Sequence, residues 1–468
     1  MTLLNLSEND ESIRSMAAND HKSLDEFVAH LTNGYDELNL EKKDANQEIE
    51  RATNRLCAIL DPNQLIELNV DDLLSKFGNF YKKMLANNEK ALEYFMKSLE
   101  IQKKGSQCVR NDSRRALSLT NIGSVYYDQS EYEKAREAHQ EAIDLLKMAK
   151  CENTVEYANV LNMIGVDFLK LDKYDESFKM IDEAYELRKK LFNSAQKYHE
   201  DLADSLHCLG IALYFRGENN ESIKYHLEAF EMWKRIYNDS DHPDLAKALI
   251  RIGFNYTTLG DHKMALEYQL KAYEMLKRIH NDSDHPDLAK SLYSIGLDYS
   301  NFGDHNKSLK YQLEAFEMWK RIHNNSDHLD LAKSLYSIGL DYSHLGDLNA
   351  SLEYNMKSYE MLKRIHNDSD HPDLVKSLKN ISINYSNLDD HKTALEYNLK
   401  AYEMLKRIHN HSDHPDLAKS LNSIGLDYSY LGDRKTALEH QFEAYEMLKR
   451  IYNNSDHPDL AKSLYNIG

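Results

Sequence analysis

The sequence predicts an all-α solenoid, a stack of antiparallel helix pairs. Three observations carry this reading. One short string returns at a fixed interval along most of the chain, a glycine follows each copy at a fixed distance, and between copies the apolar residues form two stripes at helical spacing.

The string is HPDL. It begins at His242, His285, His371, His414 and His457, with HLDL at His328 in the remaining place, and consecutive copies lie 43 residues apart. HEDL at His199 is the same element without its proline. Eleven residues after these histidines stand Gly210, Gly253, Gly296, Gly339, Gly425 and Gly468, with Ser382 the one exception. Gly78, Gly123 and Gly165 hold the matching place in more divergent units upstream, which makes about nine units and a terminal half unit over residues 63–468.

Residues 285–327 show the anatomy of one unit. Leu288, Leu292, Ile295 and Tyr299 recur at helical spacing and predict a first amphipathic helix, helix A. Pro286 suits its first turn, where an N–H would lack a partner anyway, and Asp287 places negative charge at the positive end of the helix dipole. Asn301-Phe302-Gly303-Asp304 then predicts a tight turn, a glycine able to take positive φ followed by a capping side chain. Leu309, Leu313, Phe316, Trp319 and Ile322 form the stripe of a second helix, helix B, and Lys320-Arg321 near its end complements the negative pole of the dipole. Neither helix can bury its stripe alone, so the pairs must stack on their neighbours. A glycine inside helix A costs about 1 kcal/mol relative to alanine, and its repetition predicts close approach between helices.

Composition narrows the function classes. A chain of 468 residues is too long for one ordinary core, and with only 16 glycines and 6 prolines helices are the simplest structure for it. The charged fraction of 29% beside 41% hydrophobic residues belongs to a folded chain. A net charge of -19 argues against nucleic acid as partner, because that affinity rests on cations neutralising phosphates. Cys57, Cys108, Cys151 and Cys208 show no CxxC spacing and read as reduced thiols. The sequence has no long apolar run and no signal-peptide pattern at its start, so a cytoplasmic location without membrane insertion is expected. The Asn-x-Ser triplets at Asn238, Asn281 and Asn367 then read as turn chemistry, with Asn, Asp and Ser bonding back to their own backbone. There is no phosphate-cradling GxxxxGK[ST], no nucleophile elbow and no HExxH, so neither an enzyme nor a cofactor is expected.

The tract Leu249, Ile252-Gly253 and Tyr256, followed by Ala265 and Ala272, resembles the tetratricopeptide signature; Ser308 and Ala315 repeat its ending in the next unit. The ordinary motif repeats every 34 residues, and the excess here falls in an extended helix B and its linker. A long unit headed by His-Pro is similar to the repeats of kinesin light chains and nephrocystin-3-like proteins, over roughly residues 70–468. The aromatic of helix B is displaced by one place, to Tyr268 or Tyr311. The resemblance implies a right-handed superhelix whose helices A line a concave groove for partner peptides.

The family uses the second and fifth residues of helix A in that groove. Carried over, the second place is Lys247, Lys290, Lys333, Lys376, Lys419 and Lys462, and the fifth is Ile250, Tyr293, Tyr336, Lys379, Asn422 and Tyr465. A lysine ladder would attract an acidic peptide or a C-terminal carboxylate. The alternative is a solvated ion pair, since Asp287 and Lys290 stand three apart on one helix. Pairs such as His280 and His285 are five apart, a spacing that does not share a helix face, so caps or packing are expected of them and no metal. Tyr299, Tyr342, Tyr385 and Tyr428 are assigned to the core.

Residues 1–20 read as a disordered tail and 21–62 as a separate helical segment. Leu24, Val28, Leu31, Tyr35, Leu38, Ala45, Ile49, Ala52, Leu56 and Ile59 follow a heptad pattern with Lys42 the misfit. A coiled coil over 24–59, joining a motor chain or a second copy, is one reading; a helix or hairpin capping the first repeat, broken at Asn33-Gly34, is the other. At the far end the chain stops inside a helix A, which predicts a truncated fragment. The expected function is a protein-interaction scaffold, with a kinesin-light-chain-like cargo adaptor or the recruiting arm of a larger enzyme as alternatives.

Overall fold

The computed structural model describes Cys57, Leu65 and residues 69–467, except 84–86, 106–108, 193–197, 454 and 456. The expected tail at 1–20 and all of the 21–62 segment except Cys57 lie outside the described residues. Among the described residues there are nineteen helices and no strands.

The chain divides into two compact units, Met1–Ile236 and Tyr237–Gly468. The first holds α1 (Val70–Lys83), α2 (Asn88–Lys104), α3 (Val109–Asp128), α4 (Tyr132–Met148), α5 (Val155–Lys170), α6 (Tyr174–Leu191), α7 (Glu200–Phe215) and α8 (Asn219–Ile236). The second holds α9 (Pro243–Thr258), α10 (His262–Ile279), α11 (Pro286–Phe302), α12 (His305–Ile322), α13 (Leu329–His344), α14 (Leu348–Ile365), α15 (Pro372–Asn387), α16 (His391–Ile408), α17 (Pro415–Tyr430), α18 (Arg434–Ile451) and α19 (Pro458–Ile467). Within each unit every helix packs on the one before and the one after it.

The core explains why the pairs stack. Ala246, Leu276, Leu288, Ala289, Leu292, Ala315, Met318, Trp319 and Leu331 form one cluster drawn from five successive helices, so no pair owns a core of its own. The predicted turn between α11 and α12 is present: Gly303 sits at φ 87°, and the Asp304 carboxylate accepts from Lys307 N at 3.1 Å. The predicted close approach is also present. A Cβ on Gly296 would lie 2.7 Å from Nε2 of the buried Gln312, whose amide donates to Tyr293 O at 3.2 Å.

Each helix A in the 43-residue register begins on its histidine. Nδ1 of His285 accepts from Asp287 N at 3.2 Å, and His242, His328, His371 and His414 cap their helices the same way. The linker departs from the predicted turn chemistry. Ser283 Oγ does donate back, to His280 O at 2.5 Å, but Asn281 and Asp282 contribute through backbone conformation, with φ of 49° and 59°. Asparagine and aspartate are the residues that enter this region at least cost after glycine.

Two further findings revise the sequence reading. Tyr299 is half-buried rather than core, and it stacks on Tyr311 with centroids 5.5 Å apart and planes 9° from parallel. The displaced aromatic of helix B is thus placed for that stack. Between repeats runs a buried polar network: Asp341 on α13 accepts from Ser300 on α11 at 2.8 Å and from Ser308 on α12 at 2.5 Å, while Asp298 accepts from Thr257 at 2.6 Å and Asp427 from Asn398 at 2.6 Å. Burial raises the carboxyl pKa of Asp298 and Asp427, and the hydrogen bonds only partly oppose it.

Candidate peptide-binding groove

The second, fifth and ninth residues of helix A share one face, because three to four residues make a helical turn. In the second unit this face is open. Lys247, Ile250 and Phe254 of α9, with Lys290, Ser291 and Ser294 of α11, line a cavity of about 160 Å³. The cavity brings Lys247 and Lys290 together; Lys333, Lys376, Lys419 and Lys462 are exposed and hold the same register place on their own helices.

The fifth residues lie deeper. Ile250, Tyr293, Tyr336, Lys379 and Asn422 are half-buried, whereas Tyr465 on α19 is 86% exposed. The Tyr293 hydroxyl lies 3.3 Å from Ser337 Oγ, and burial raises its pKa. Burial lowers the pKa of Lys379, opposed by the Asp416 charge and reinforced by Lys419.

The ion-pair alternative is realised in part. Lys247 meets Asp244 at 2.9 Å, Lys376 meets Asp373 at 3.5 Å and Lys419 meets Asp416 at 3.9 Å, all on exposed ammonium groups. Asp287 and Asp330, like the other aspartates of this register, lie beside their capping histidines, His285 and His328, at 3.6 and 3.3 Å. Exposed pairs of this kind are worth about 0–1 kcal/mol and leave the lysine free to exchange partners.

Sequence reasoning missed a third row. Phe254, Leu297, Leu340, Ile383 and Leu426 follow the lysines by seven residues, and Leu297, Ile383 and Leu426 are exposed. The signal was available, since the apolar residue directly after Gly253, Gly296, Gly339, Ser382 and Gly425 falls outside the stripe that Leu288, Leu292 and Ile295 define. The first unit carries different chemistry in the same register: Leu117 and Thr120 on α3, Asn159 and Asn162 on α5, Asp204 and His207 on α7. Leu117, Thr120, Asn159 and Met163 help to line a cavity of about 650 Å³ there.

The histidine pairs combine the two expected roles, cap and packing. His280 closes α10 and His285 opens α11, so the five-residue spacing spans two helices and the rings stack, with centroids 3.5 Å apart. Nitrogen and oxygen donors of His280, His285 and Asp287 lie within 4.8 Å of one another, as do those of His323, His328 and Asp330, of His366, His371 and Asp373, and of His409, His414 and Asp416. The expected capping role holds for the second histidine of each pair. The stacked rings are the packing role.

Tetratricopeptide repeat family models match residues 70–148, 114–190, 201–278 and 287–364, and again 374–416 and 417–459. The chain belongs to the tetratricopeptide repeat family, a class of protein-interaction scaffolds. No curated protein matches. Among solved structures it is similar to the apo quorum sensor NprR of B. thuringiensis, at 13% identity and a TM-score of 0.54 over 82% of this chain and 99% of that one. It is also similar to a signal-transduction ATPase with a tetratricopeptide repeat sensor from Pyrococcus horikoshii, at 13% identity and a TM-score of 0.54 over 95% of this chain and 74% of that one. A putative kinesin light chain with nearly identical repeats from Podospora anserina matches at 14% identity and a TM-score of 0.38, over 47% of this chain and 97% of that one. No described helix is long and apolar enough to cross a membrane.

Proposed function

We propose that the chain is a scaffold that binds an extended, acidic peptide segment along the helix A face of its second unit, residues 243–467. One observation carries this: five successive helices A present an exposed lysine and, seven residues on, an apolar side chain, from Lys247 and Phe254 to Lys419 and Leu426. A peptide alternating carboxylates with apolar residues would find both partners at every repeat, each carboxylate contact a charge-assisted bond and each apolar contact a gain in buried area. That the NprR and Pyrococcus horikoshii proteins are sensors agrees with a recognition role.

The test is fluorescence anisotropy with a labelled peptide of alternating Glu and Leu. Binding that weakens at least tenfold in the Lys290→Glu, Lys333→Glu, Lys376→Glu triple variant, and falls with added salt, supports the reading. Unchanged affinity overturns it.

The cargo-adaptor reading rests on the heptads at 24–59. Retention of a kinesin heavy-chain stalk by the full chain, lost on removal of residues 1–62, supports it; equal retention by both removes it.

A further inference from the structure

We propose that the four joints built from His280, His285 and Asp287, His323, His328 and Asp330, His366, His371 and Asp373, and His409, His414 and Asp416 are binding sites for a borderline divalent metal ion, of which Zn²⁺ is the fitting probe. Two imidazoles and one carboxylate are a three-ligand set for this ion, with water completing the tetrahedron.

The array supplies its own comparison. Two joints of the second unit carry tyrosine in place of the first histidine, and their rings stack on the capping histidine just as closely: Tyr237 on His242 at 3.6 Å and Tyr452 on His457 at 3.6 Å. Stacking therefore does not require histidine there. In those joints the phenol spans the gap to the acid, with Tyr237 donating to Asp244 at 3.1 Å and Tyr452 to Asp459 at 3.1 Å.

Histidine falls short of the same acid. His323 Nε2 lies 3.8 Å from Asp330 Oδ2, beyond a hydrogen bond, and the Nε2 atoms of His280, His323 and His366 are buried without a hydrogen-bond partner. Two ligands of a tetrahedral zinc, each about 2.0–2.2 Å from the metal, stand about 3.3–3.5 Å apart. The His323–Asp330 gap is a few tenths of an ångström wider than a bridging cation needs, and in the other three joints the donors lie within 4.8 Å of one another, so modest closure brings each set to ligating distance. His328 Nδ1, at 3.3 Å from the same oxygen, is the third donor.

Ligation has a structural cost. Nδ1 of the second histidine already accepts the Asp330 N–H as a helix cap, at 3.2 Å, and the stacked rings must tilt before their lone pairs converge. The sites are accordingly weaker than a rigid four-ligand zinc centre.

The experiment is calorimetric titration of the full chain with Zn²⁺ in a non-chelating buffer, with circular dichroism as the check on folding. Saturable uptake of four ions is expected, reduced by one in each of His280→Tyr, His323→Tyr, His366→Tyr and His409→Tyr, and abolished in the quadruple variant. These changes copy the Tyr237 and Tyr452 joints and so preserve the stack. Should a tyrosine variant fail to fold, Asp287→Asn and Asp330→Asn, which keep the backbone N–H for the cap, must each weaken one site. Absence of saturable uptake, or uptake that the quadruple variant leaves unchanged, overturns the proposal.

Discussion

Arg321 and Asp284, 37 residues apart, close a two-bond fork: Nε donates to Oδ2 at 2.7 Å and Nη2 to Oδ1 at 2.8 Å. The fork ties the last turn of helix B to the residue before the capping histidine of the same repeat. It recurs as Arg278 with Asp241, Arg364 with Asp327, Arg407 with Asp370 and Arg450 with Asp413. The bonded guanidinium holds each of these carboxyl groups below the usual carboxylate range.

Lysine cannot reproduce a planar fork. Arg321→Lys should lower stability by about 0.5 kcal/mol, because the pair is exposed, and the loss should shrink in high salt. Urea unfolding at two ionic strengths reads both effects.

Gly296→Ala forces a methyl group onto Gln312 and should cost about 2 kcal/mol, the scale of an overpacked core. Adding Gln312→Ala removes the obstruction, so the double variant should be more stable than the sum of the two single changes allows. Strict additivity in the urea midpoints would count against the close approach.

His285→Ala removes the side-chain acceptor at the head of α11 and should cost about 1 kcal/mol. Asparagine, a good capping residue, should restore the cap and lose only the ring stack. The order of unfolding midpoints, wild type above Asn above Ala, is the check.

Acid should destabilise the joints. Burial first, and the stacked second histidine next, hold the imidazoles of His280, His323, His366 and His409 below the ordinary 6.5, with the nearby aspartates opposing the shift. The unfolded chain therefore takes up protons at a pH where the folded joints still refuse them. Their contribution is present above 6.5 and is lost as pH falls below it. Stability measured across this range should fall less steeply when the four residues are changed to tyrosine.

Asp298 works in the opposite sense. Burial raises its pKa, so its ionised form costs stability at neutral pH, and acid relieves the cost. Asn255 and Asn384 occupy the same register place in sister repeats. Asp298→Asn should raise the unfolding midpoint at neutral pH, and the gain should fade on acidification.

Much of the fold was legible because periodicity reports which side of a helix faces its neighbours. Pro286, Gly303 and Asp304 stand where their backbone chemistry demanded, and His285 caps as expected. What stayed hidden depends on partners in three dimensions. Nothing in the pattern of Arg321 points to Asp284 rather than to the helix dipole, and no spacing rule reveals that Asp341 collects hydroxyls from two helices of the preceding repeat. The lysines were found through the family register. The apolar row from Phe254 to Leu426 escaped because it was counted with neither core nor charge, and the His280 stack because spacing on one helix was applied across a turn.

The joints after α10 and after α12 carry the same side chains, His280 with His285 and His323 with His328, in the same stacked geometry. Deleting one whole module between them would join surfaces that already match, so gene-level gain or loss of a module can lengthen or shorten the helix A face rung by rung without redesigning a seam. Under the proposed groove, such changes select for the partner's reach rather than for its chemistry.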